Sequence, residues 1–331
     1  MKPKMAIRLK LLLMLFFVVA VKRTEAQELI KVPVQIPAIT PAATAFAVAR
    51  DRGYYRQEGL DVQLIIMASG LGTQALIAGN VKFSTAGGAG LLPVLRGAPV
   101  RFMFTTFQRP MFWLYSKPEI RSVETLRGKK VGVSSLGSGP DSLLRELLKK
   151  YGLEGGREVV ILPVGSGTAR FYALQAGSVD AAMLSIPANF MAQDAGFREL
   201  VSFLEQEWVE LQGTINVTDQ LLASDPALVE KFIRGTLKGF IHFRDQRQST
   251  IAILSRFLRV KEDLASKIYD VMRPSMTDYG VVSDEIQRKS LEHVVGRVGM
   301  KDAPRLDKIF DYSLAIKVRQ DLQAKGWKPQ N

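Results

Sequence analysis

The chain has 331 residues, no cysteine, and a formal net charge of +13 from 45 lysines and arginines against 32 acids. The lack of cysteine excludes disulfide bonds, thiolate metal sites, a cysteine nucleophile and a lipid anchor on an N-terminal cysteine. Beyond the first 26 residues the basic residues are interspersed with acids, as in Lys261-Glu262-Asp263, and form no run. This pattern is typical of a solvated surface, so we expect no nucleic-acid partner.

The first 26 residues have the pattern of a cleavable secretion signal. Residues 1–10 carry four basic side chains and no acid, residues 11–21 are uninterrupted apolar, and a short polar stretch ends at Ala26. These are the three parts of a signal peptide, and eleven apolar residues fall short of the roughly 20 that a membrane-spanning helix needs. We therefore expect a signal peptide at residues 1–26, cleavage after Ala26, and a mature protein in the periplasm.

Beyond the signal, apolar runs of strand length alternate with longer amphipathic segments. The predicted strands are residues 30–36, 61–67, 81–86, 130–134, 159–163 and 179–184. Helices are predicted between them, the first at residues 42–50 with Thr40 as its N-cap and Pro41 at its first position. Strands that alternate with helices indicate βαβ units, a mostly parallel sheet and an α/β fold.

Two segments of the chain are similar to each other. Residues 74–81 align with residues 172–179 at an offset of 98 residues, and five of the eight positions are identical. Any short helix that ends in glycine before a strand has this form, but the matching order of strands around it favours a repeated α/β lobe. From Asp219 onward only helices are predicted, at residues 225–243, 250–258, 263–272, 284–298 and 307–324. We expect this tail to pack on one lobe.

Five segments in a fixed order give the chain a family resemblance. The most specific is AVARDRGYYRQEGLDV at residues 47–62, and the others are residues 74–81, 96–100, 122–133 and 173–184. Over about residues 30–240 the chain resembles periplasmic binding proteins of the aliphatic sulfonate, nitrate and thiamine-precursor group. This group is the NMT1/THI5-like family of ABC transporter substrate-binding proteins, which includes SsuA-like proteins.

The resemblance implies a type II periplasmic-binding-protein fold, with two α/β lobes, a ligand cleft between them and a helical C-terminal tail. Lobe I is expected at residues 27–108 plus 213–331 and lobe II at residues 109–212. The chain is expected to cross between the lobes near residues 106–110 and 211–217. A small-molecule ligand and the permease and ATPase subunits of an ABC importer are the implied partners; we expect a monomer without a cofactor.

Open α/β sheets bind ligands beyond the carboxyl ends of their strands, and small or glycine-rich residues stand at each of these ends. Glycine permits close approach to the backbone, helix starts attract anions, and hydroxyls donate or accept hydrogen bonds. Any single one of these residues is also consistent with an ordinary cap or turn. The predicted ligand-binding residues are Ile39, Thr40, Ser69, Gly70, Gly87, Gly88, Gln108, Gly137, Ser138, Ser166, Gly167, Ile186 and Pro187.

The ligand itself is predicted only as a class, a small anionic or polar molecule. Sulfonates, nitrate, carboxylates and pyrimidines all remain open at this stage. Arg109 and Arg170 are candidate partners of an anion, and Trp113, Trp208 and Tyr172 are either stacking surfaces or core residues.

Two functions other than transport share parts of this sequence pattern. The family group includes eukaryotic pyrimidine synthases that use a pyridoxal cofactor, a sacrificial histidine and a cysteine-rich motif, which this chain lacks. Its two histidines, His242 and His293, fall in predicted tail helices, where we expect half-buried helix residues. We therefore predict no catalytic residue and no metal site. A sensory binding protein that signals to a membrane receptor is the other alternative, since it needs the same closing cleft.

Overall fold

The structure is a computed structural model that describes residues 28–205, 208–298, 300 and 303–329. The predicted signal peptide, residues 1–26, lies outside the described residues. The strands are β1 (Ile30–Ile36), β2 (Leu60–Ile66), β3 (Phe83–Ser84), β4 (Val100–Phe107), β5 (Phe112–Ser116), β6 (Lys130–Val133), β7 (Val160–Pro163), β8 (Ala181–Ser185), β9 (Arg198–Ser202) and β10 (Gln212–Thr218).

Helices connect and cover these strands. They are α1 (Thr44–Asp51), α2 (Tyr54–Gln57), α3 (Ser69–Ile77), α4 (Leu91–Leu95), α5 (Gly139–Lys150), α6 (Gly167–Gln175), α7 (Ala188–Asp194), α8 (Asp219–Ser224), α9 (Pro226–Asp245), α10 (Arg247–Leu258), α11 (Glu262–Met272), α12 (Asp284–Val298) and α13 (Ser313–Ala324). Short 3-10 turns lie at Pro41–Ala43, Gly87–Gly90 and Leu306–Lys308, among others.

The strands form two five-stranded sheets with the same plan. The first sheet has the order β2-β1-β3-β10-β4, and the second has the order β7-β6-β8-β5-β9. In each sheet the first three strands are parallel and the fourth is antiparallel to both neighbours. The two copies of the sequence repeat lie at equivalent places: one covers the end of α3 and leads into β3, and the other covers the end of α6 and leads into β8. β3 and β8 are the third strands of their sheets, so the predicted α/β repeat is confirmed.

The chain passes between the sheets twice. Residues 108–111 lead from β4 of the first sheet to β5 of the second, and residues 203–211 lead from β9 back to β10. The second crossing was predicted at residues 211–217, but Gln212–Thr218 is a strand inside the first sheet, buried on both faces. Its Thr, Ile and Val residues favour a strand, and pairing on both sides with β3 and β4 fixes it there.

The predicted helical tail is confirmed and packs on the first sheet. Asp225 Oδ1 accepts a hydrogen bond of 3.0 Å from the Leu228 amide, so it caps α9, with Pro226 at the first position. The ring of Phe232 in α9 stacks on Phe83 of β3, with the ring centroids 4.0 Å apart. Aromatic contacts of this kind anchor the long tail helix to the sheet.

One predicted helix boundary is wrong, and one predicted N-cap lacks its side-chain hydrogen bond. Residues 307–324 were predicted as one helix, but α13 begins only at Ser313. Before it, Ile309 and Asp311 bond to both backbone groups of Phe102 in β4, at 2.8 and 2.9 Å, which holds the segment extended along the sheet. Thr40 is the N-cap of the 3-10 turn that precedes α1, with Pro41 at its first position as predicted, but it makes no side-chain capping bond.

Candidate functional site

A small cavity lies between the two sheets and is called here the inter-sheet cavity. Its volume is about 50 Å³, and it is lined by Gly88, Leu91, Gly137, Gly139, Leu143, Val209, Glu210, Leu211, Ser290 and Val294. The lining comes from the ends of β3 and β6, from the returning segment 203–211, and from tail helix α12. Of the predicted ligand-binding residues, the cavity brings together Gly88 of the first sheet and Gly137 of the second.

The glycine pair after β3 is bonded to the chain that returns from the second sheet. The Gly87 amide donates to Thr214 Oγ1 at 3.1 Å, and the Gly88 amide donates to the Leu211 carbonyl at 2.9 Å. Gly87 has a φ of +58°, and a Cβ there would lie 2.4 Å from the Leu211 oxygen. Glycine is therefore required by this close approach. The two amides that the sequence predicted as ligand donors are already bonded within the protein.

The turn before α5 is also bonded internally. The Gly137 amide donates to Asp141 Oδ2 at 2.7 Å. Ser138 Oγ donates to the Ser135 carbonyl at 2.6 Å and accepts a hydrogen bond from Ser134 Oγ at 2.8 Å. Asp141 is buried, with 3% of its surface exposed, and also accepts from Arg145 Nε at 2.9 Å. A buried carboxylate therefore already accepts from the amide predicted to bind an anion.

Glu210, which the sequence analysis missed, projects into the inter-sheet cavity. Its Oε2 accepts a hydrogen bond of 2.8 Å from Gln212 Nε2. A Cβ at Gly139 would lie 2.3 Å from Glu210 Oε1, and one at Gly88 would lie 3.8 Å from its Cγ. The carboxylate thus fills space that two glycines leave open, one on each side of the cavity. The only sequence signal was an acid within the returning segment, with no motif around it.

A second missed residue, Gln35, lies beside the turns that follow β2 and β3 in the first sheet. Its side chain is fully buried at the end of β1. Its Nε2 donates to the Met67 carbonyl at 2.6 Å, and its Oε1 accepts from Ser84 Oγ at 2.6 Å and from the Thr85 amide at 3.2 Å. Gln35 therefore joins the ends of three neighbouring strands. It positions the turn that carries Ser69 and Gly70 as well as the turn that carries Gly87 and Gly88.

The remaining predicted residues lie at the strand ends but do not line the inter-sheet cavity as the described residues define it. Ile39 and Gly70 are exposed, and Thr40 and Ser69 are partly buried. Gln108 is half-buried in the first connection, and its carbonyl accepts from the Glu210 amide at 3.3 Å.

At the strand ends of the second sheet, the predicted residues form structured turns. Ser166 Oγ accepts from the Ala169 amide at 3.2 Å and so caps α6. The Ile186–Pro187 peptide bond is cis, and it leads to Asn189 in α7. Asn189 is 4% exposed, and its Oδ1 has no hydrogen-bond partner within the described part of the chain. Since buried polar atoms are normally bonded, Asn189 is a third candidate that the sequence analysis missed.

The two arginines proposed as anion partners have different surroundings. Arg109 is exposed in the first connection. Arg170 is 2% exposed and donates to the carbonyl of Gly165, just after β7, and to the carbonyl of Met183, within β8. Burial lowers the pKa of Arg170 to about 10, so it stays charged at neutral pH. Its guanidinium thus links the turn after β7 to β8.

The three aromatic candidates also differ in their exposure to solvent. Trp113 is 5% exposed and Trp208 is 6% exposed, so both are core residues, whereas Tyr172 is exposed on α6. A stacking role for either tryptophan is therefore not supported.

His242 was expected to be half-buried but is fully buried in α9. Its Nδ1 bonds to the Tyr54 hydroxyl at 2.9 Å and its Nε2 to Ser249 Oγ at 2.6 Å. The side chain of His293 lies outside the described part of the structure. Among the described residues, no three His, Cys, Asp or Glu side chains are grouped so as to hold a metal ion, and no helix is both long and apolar enough to cross a membrane.

Comparison with known proteins places this geometry in a family. A family model described as NMT1/THI5 like matches residues 40–248. The riboflavin-binding protein RibY of Chloroflexus aurantiacus is 28% identical over 204 residues, which cover 59% of this chain and 56% of the relative. The match thus spans little more than half of that curated relative.

Two solved structures extend the comparison to the fold. The periplasmic aliphatic sulphonate binding protein SsuA from Escherichia coli has a TM-score of 0.67 and 16% identity, over 92% of this chain and 93% of its own. The desulfurization enzyme DSZB has a TM-score of 0.66 and 15% identity, over 88% of this chain and 99% of its own. At these identities the structures show a shared fold, so the predicted periplasmic-binding-protein architecture is confirmed, and one fold serves both binding proteins and an enzyme.

Proposed function

The chain belongs to the NMT1/THI5-like family, and from this premise we propose that it is a periplasmic solute-binding protein that captures a small molecule and delivers it to an ABC importer. The observation that carries the proposal is the inter-sheet cavity, to which Gly88 contributes from the first sheet and Gly137 from the second. A ligand held there contacts both halves of the molecule. Binding is then coupled to the separation between the sheets.

We propose that the two halves are lobe I, residues 27–108 plus 213–331, and lobe II, residues 109–212. The strand membership of the two sheets supports this division, because the chain passes between them only at residues 108–111 and 203–211 among the described residues. A cavity of about 50 Å³ is far smaller than the roughly 300–1,000 Å³ of typical ligand pockets. Entry therefore requires the lobes to part, and ligand contacts made with both lobes favour closure.

The proposed setting is the periplasm, reached through a signal peptide at residues 1–26. The permease and ATPase subunits of an ABC importer are the proposed partners, with the closed lobe surfaces docking on the permease. We propose a monomer, since one chain supplies both sides of the inter-sheet cavity. The candidate ligands are sulfonates, nitrate, carboxylates and pyrimidine-type heterocycles. The name of the RibY relative adds riboflavin, a larger neutral heterocycle.

We propose binding without catalysis. Although DSZB shows that this fold can carry an enzyme, the cavity lining here contains one ionisable side chain, Glu210, among the described residues. The His242 imidazole is buried in α9 and bonded to Tyr54 and Ser249, away from that lining. The imidazole is therefore not placed to exchange a proton with a molecule in the cavity.

A thermal-shift screen of residues 27–331 tests the proposal. The panel is ethanesulfonate, nitrate, acetate, cytosine and riboflavin, each over a range of concentrations. A ligand at 100 times its Kd adds about 2.7 kcal/mol to the free energy of unfolding, which gives a clear rise in Tm. We expect at least one saturable shift.

The matched variant is Gly88→Leu, whose side chain fills the inter-sheet cavity. It should lose the shift, and its unliganded Tm is measured to show that it is still folded. A shift that survives Gly88→Leu unchanged would place the ligand elsewhere and contradict the proposed site.

A further inference from the structure

Four buried side-chain atoms have no hydrogen-bond partner in the described part of the chain: Thr44 Oγ1, Asn189 Oδ1, Trp208 Nε1 and Asn216 Oδ1. Buried polar atoms are normally bonded, so each needs an explanation. Thr44 and Asn189 stand in the first turn of a helix, α1 after β1 and α7 after β8. Helices of this kind start at the carboxyl ends of strands, which is the edge where open α/β sheets bind ligands.

Thr44 lies beside the place where the chain returns to the first sheet. It is fully buried, two residues after Ala42. A Cβ at Gly213, in the first turn of β10, would lie 2.4 Å from the Ala42 carbonyl oxygen. Thr106, near the end of β4, donates to the Gly213 carbonyl at 3.1 Å. The start of α1 therefore adjoins the strand that leads to the second sheet and the strand that comes back from it.

Asn189 lies beside the place where the chain enters the second sheet. It is 4% exposed and follows β8, whose last residue, Ser185, pairs with Phe112 at the start of β5. The turn after β7 reaches the same place, since a Cβ at Gly167 would lie 2.6 Å from Ser185 Oγ and 3.6 Å from Ala188 Cβ. The start of α7 therefore adjoins the first crossing and a turn that the sequence predicted to bind ligand.

One continuous cluster of buried apolar side chains joins these two places. It includes Ala45, Phe107, Met111, Trp113, Ile186 and Ala188. Thr44 precedes the first of these residues along the chain, and Asn189 follows the last. A solute bound between the two halves at this cluster would have apolar side chains around it and one unpartnered polar group from each half.

Resting on the proposed function, we infer that Thr44 and Asn189 are ligand-binding residues, and that the ligand carries a hydrogen-bond donor, such as a ring N–H, that bonds to Asn189 Oδ1 while another polar atom bonds to the Thr44 hydroxyl. The unpartnered atom of Asn189 is an acceptor, so its partner must be a donor. Nitrate and sulfonates carry no hydrogen on their oxygens at neutral pH and cannot supply one. A molecule without a donor leaves the buried oxygen unsatisfied, which a site of this kind penalises.

The two groups also give the ligand a role in closure. Thr44 belongs to the proposed lobe I and Asn189 to the proposed lobe II, so a molecule bonded to both holds the lobes together. Without the ligand, the protein keeps two buried polar atoms unbonded. Stability is then sacrificed for binding, as is common at functional sites.

The test uses the variants Thr44→Val and Asn189→Ala, each of which removes one of the unpartnered groups. The matched control is Thr236→Val, the same change at a fully buried threonine of α9. Its hydroxyl is bonded within the protein, to the Tyr55 hydroxyl at 2.8 Å and to the Phe232 carbonyl at 2.9 Å. Each protein is titrated calorimetrically at neutral pH with riboflavin, cytosine, ethanesulfonate and nitrate, and the Tm of each unliganded protein is measured.

We expect the wild type to bind riboflavin or cytosine. Thr44→Val and Asn189→Ala should each bind that compound about tenfold or more weakly, since each loses one buried hydrogen bond to it. Thr236→Val should keep the wild-type affinity. The unliganded Tm should fall for Thr236→Val, which loses two internal hydrogen bonds, but not for Thr44→Val, whose hydroxyl has none to lose. A purely structural role of Thr44 would lower both melting temperatures.

Three results would overturn the inference while solute binding stands. They are binding of ethanesulfonate or nitrate alone by the wild type, wild-type affinity in either Thr44→Val or Asn189→Ala, and a fall in Tm for Thr44→Val as large as that for Thr236→Val. Failure of the wild type to bind any of the four compounds overturns the proposed function, and the inference with it.

Discussion

The Ser84 hydroxyl donates a hydrogen bond of 2.6 Å to the side-chain oxygen of Gln35, inside the first sheet. Both residues are fully buried, and they stand on the neighbouring strands β3 and β1. The same oxygen accepts from the Thr85 amide, and the amide group of Gln35 donates to the Met67 carbonyl after β2. One side chain thus fixes the relative positions of three strand ends that face the second sheet.

Replacing this side chain should loosen all three ends. Gln35→Leu leaves the Ser84 hydroxyl, the Thr85 amide and the Met67 carbonyl without this partner inside the protein. We expect a loss of about 3 kcal/mol in the free energy of unfolding, because unsatisfied buried polar groups cost about 1–3 kcal/mol each. Urea denaturation measures it. The control, Gln63→Leu, alters an exposed glutamine and should change stability by less than about 0.5 kcal/mol. Equal effects would refute the role of Gln35.

Gly280 is required by the packing of an aromatic core residue. Its φ is +89°, and a Cβ added there would lie 2.0–2.3 Å from three ring atoms of Phe104. Phe104 is fully buried in β4 and packs edge-on against Phe240 at 5.9 Å, so the ring has little freedom to move. We expect Gly280→Ala to destabilise the protein by about 3 kcal/mol or more, from backbone strain and overpacking together.

The substitution Gly97→Ala distinguishes the effect of backbone strain from that of overpacking. It has nearly the same φ, +91°, but no atom lies within 4 Å of an added Cβ. Gly97→Ala should therefore cost only the strain, about 1 kcal/mol. Thermal and urea denaturation of both variants measures the difference. Equal losses for the two substitutions would mean that the Phe104 contact adds nothing.

The stability of the protein should depend on pH through His242. Burial, with a smaller effect of Arg52, lowers the pKa of His242 to about 4 from the model-peptide value of 6.5. The unfolded chain takes up a proton near pH 6.5 and the folded protein only near pH 4. The contribution of His242 is therefore complete above pH 6.5 and falls as the pH drops to about 4, by roughly 3 kcal/mol in total.

The variant His242→Gln provides the comparison, since it retains hydrogen-bonding groups but does not titrate. The difference in unfolding free energy between wild type and variant is measured from pH 7.5 to pH 4. We expect it to shrink or change sign as the pH falls, because only the wild type loses this contribution. Parallel curves across the range would show that His242 takes up its proton equally in both states.

Replacement of Arg170 by uncharged methionine should destabilise the protein less than replacement by lysine. It is 2% exposed and joins the Gly165 and Met183 carbonyls through two nitrogens of one guanidinium. Arg170→Lys keeps a buried charge but has no planar fork to reach both carbonyls, so we expect a loss of about 2 kcal/mol or more. Arg170→Met removes the buried charge and should lose less. Urea denaturation measures the stability of both variants. Arg109→Lys, at an exposed position, is the control and should be close to neutral. An Arg170→Lys variant as stable as the wild type would contradict the need for two hydrogen bonds from one guanidinium.

Much of the fold follows from local patterns in the sequence. β1 was predicted at residues 30–36 and is observed at Ile30–Ile36, since isoleucines and valines at alternate positions, ended by Pro37, favour a strand. The tail helices follow from caps such as Asp225-Pro226. The second crossing was predicted within β10, because the position of β10 between β3 and β4 depends on partners more than 100 residues away.

The candidate site was predictable only in part, for a similar reason. Gly87 marks a close approach to the Leu211 backbone and Gly137 has a φ of +80°, and glycine-rich patterns predict both turns. The groups that accept hydrogen bonds from the Gly88 and Gly137 amides are set by the tertiary fold. The sequence does not indicate that they are the Leu211 carbonyl and the Asp141 carboxylate. Gln35 and Glu210 are single polar residues whose role comes from burial and from contacts across the fold. The expected anion-binding turns are therefore real turns whose donors are already in use.

The order in which strands enter the two sheets has a consequence for biosynthesis. The second sheet is built from one continuous stretch, β5 to β9, whereas the first lacks its strand β10 until the second has been synthesised. The hydrogen bond from the Gly87 amide to Thr214 spans 127 residues. Until residue 218 emerges, the facing edges of β3 and β4 have no partner, and unpaired edges of this kind invite intermolecular pairing. A chain stalled or truncated between residues 108 and 211 should therefore aggregate, and during synthesis the half encoded in the middle can mature before the half encoded at both ends.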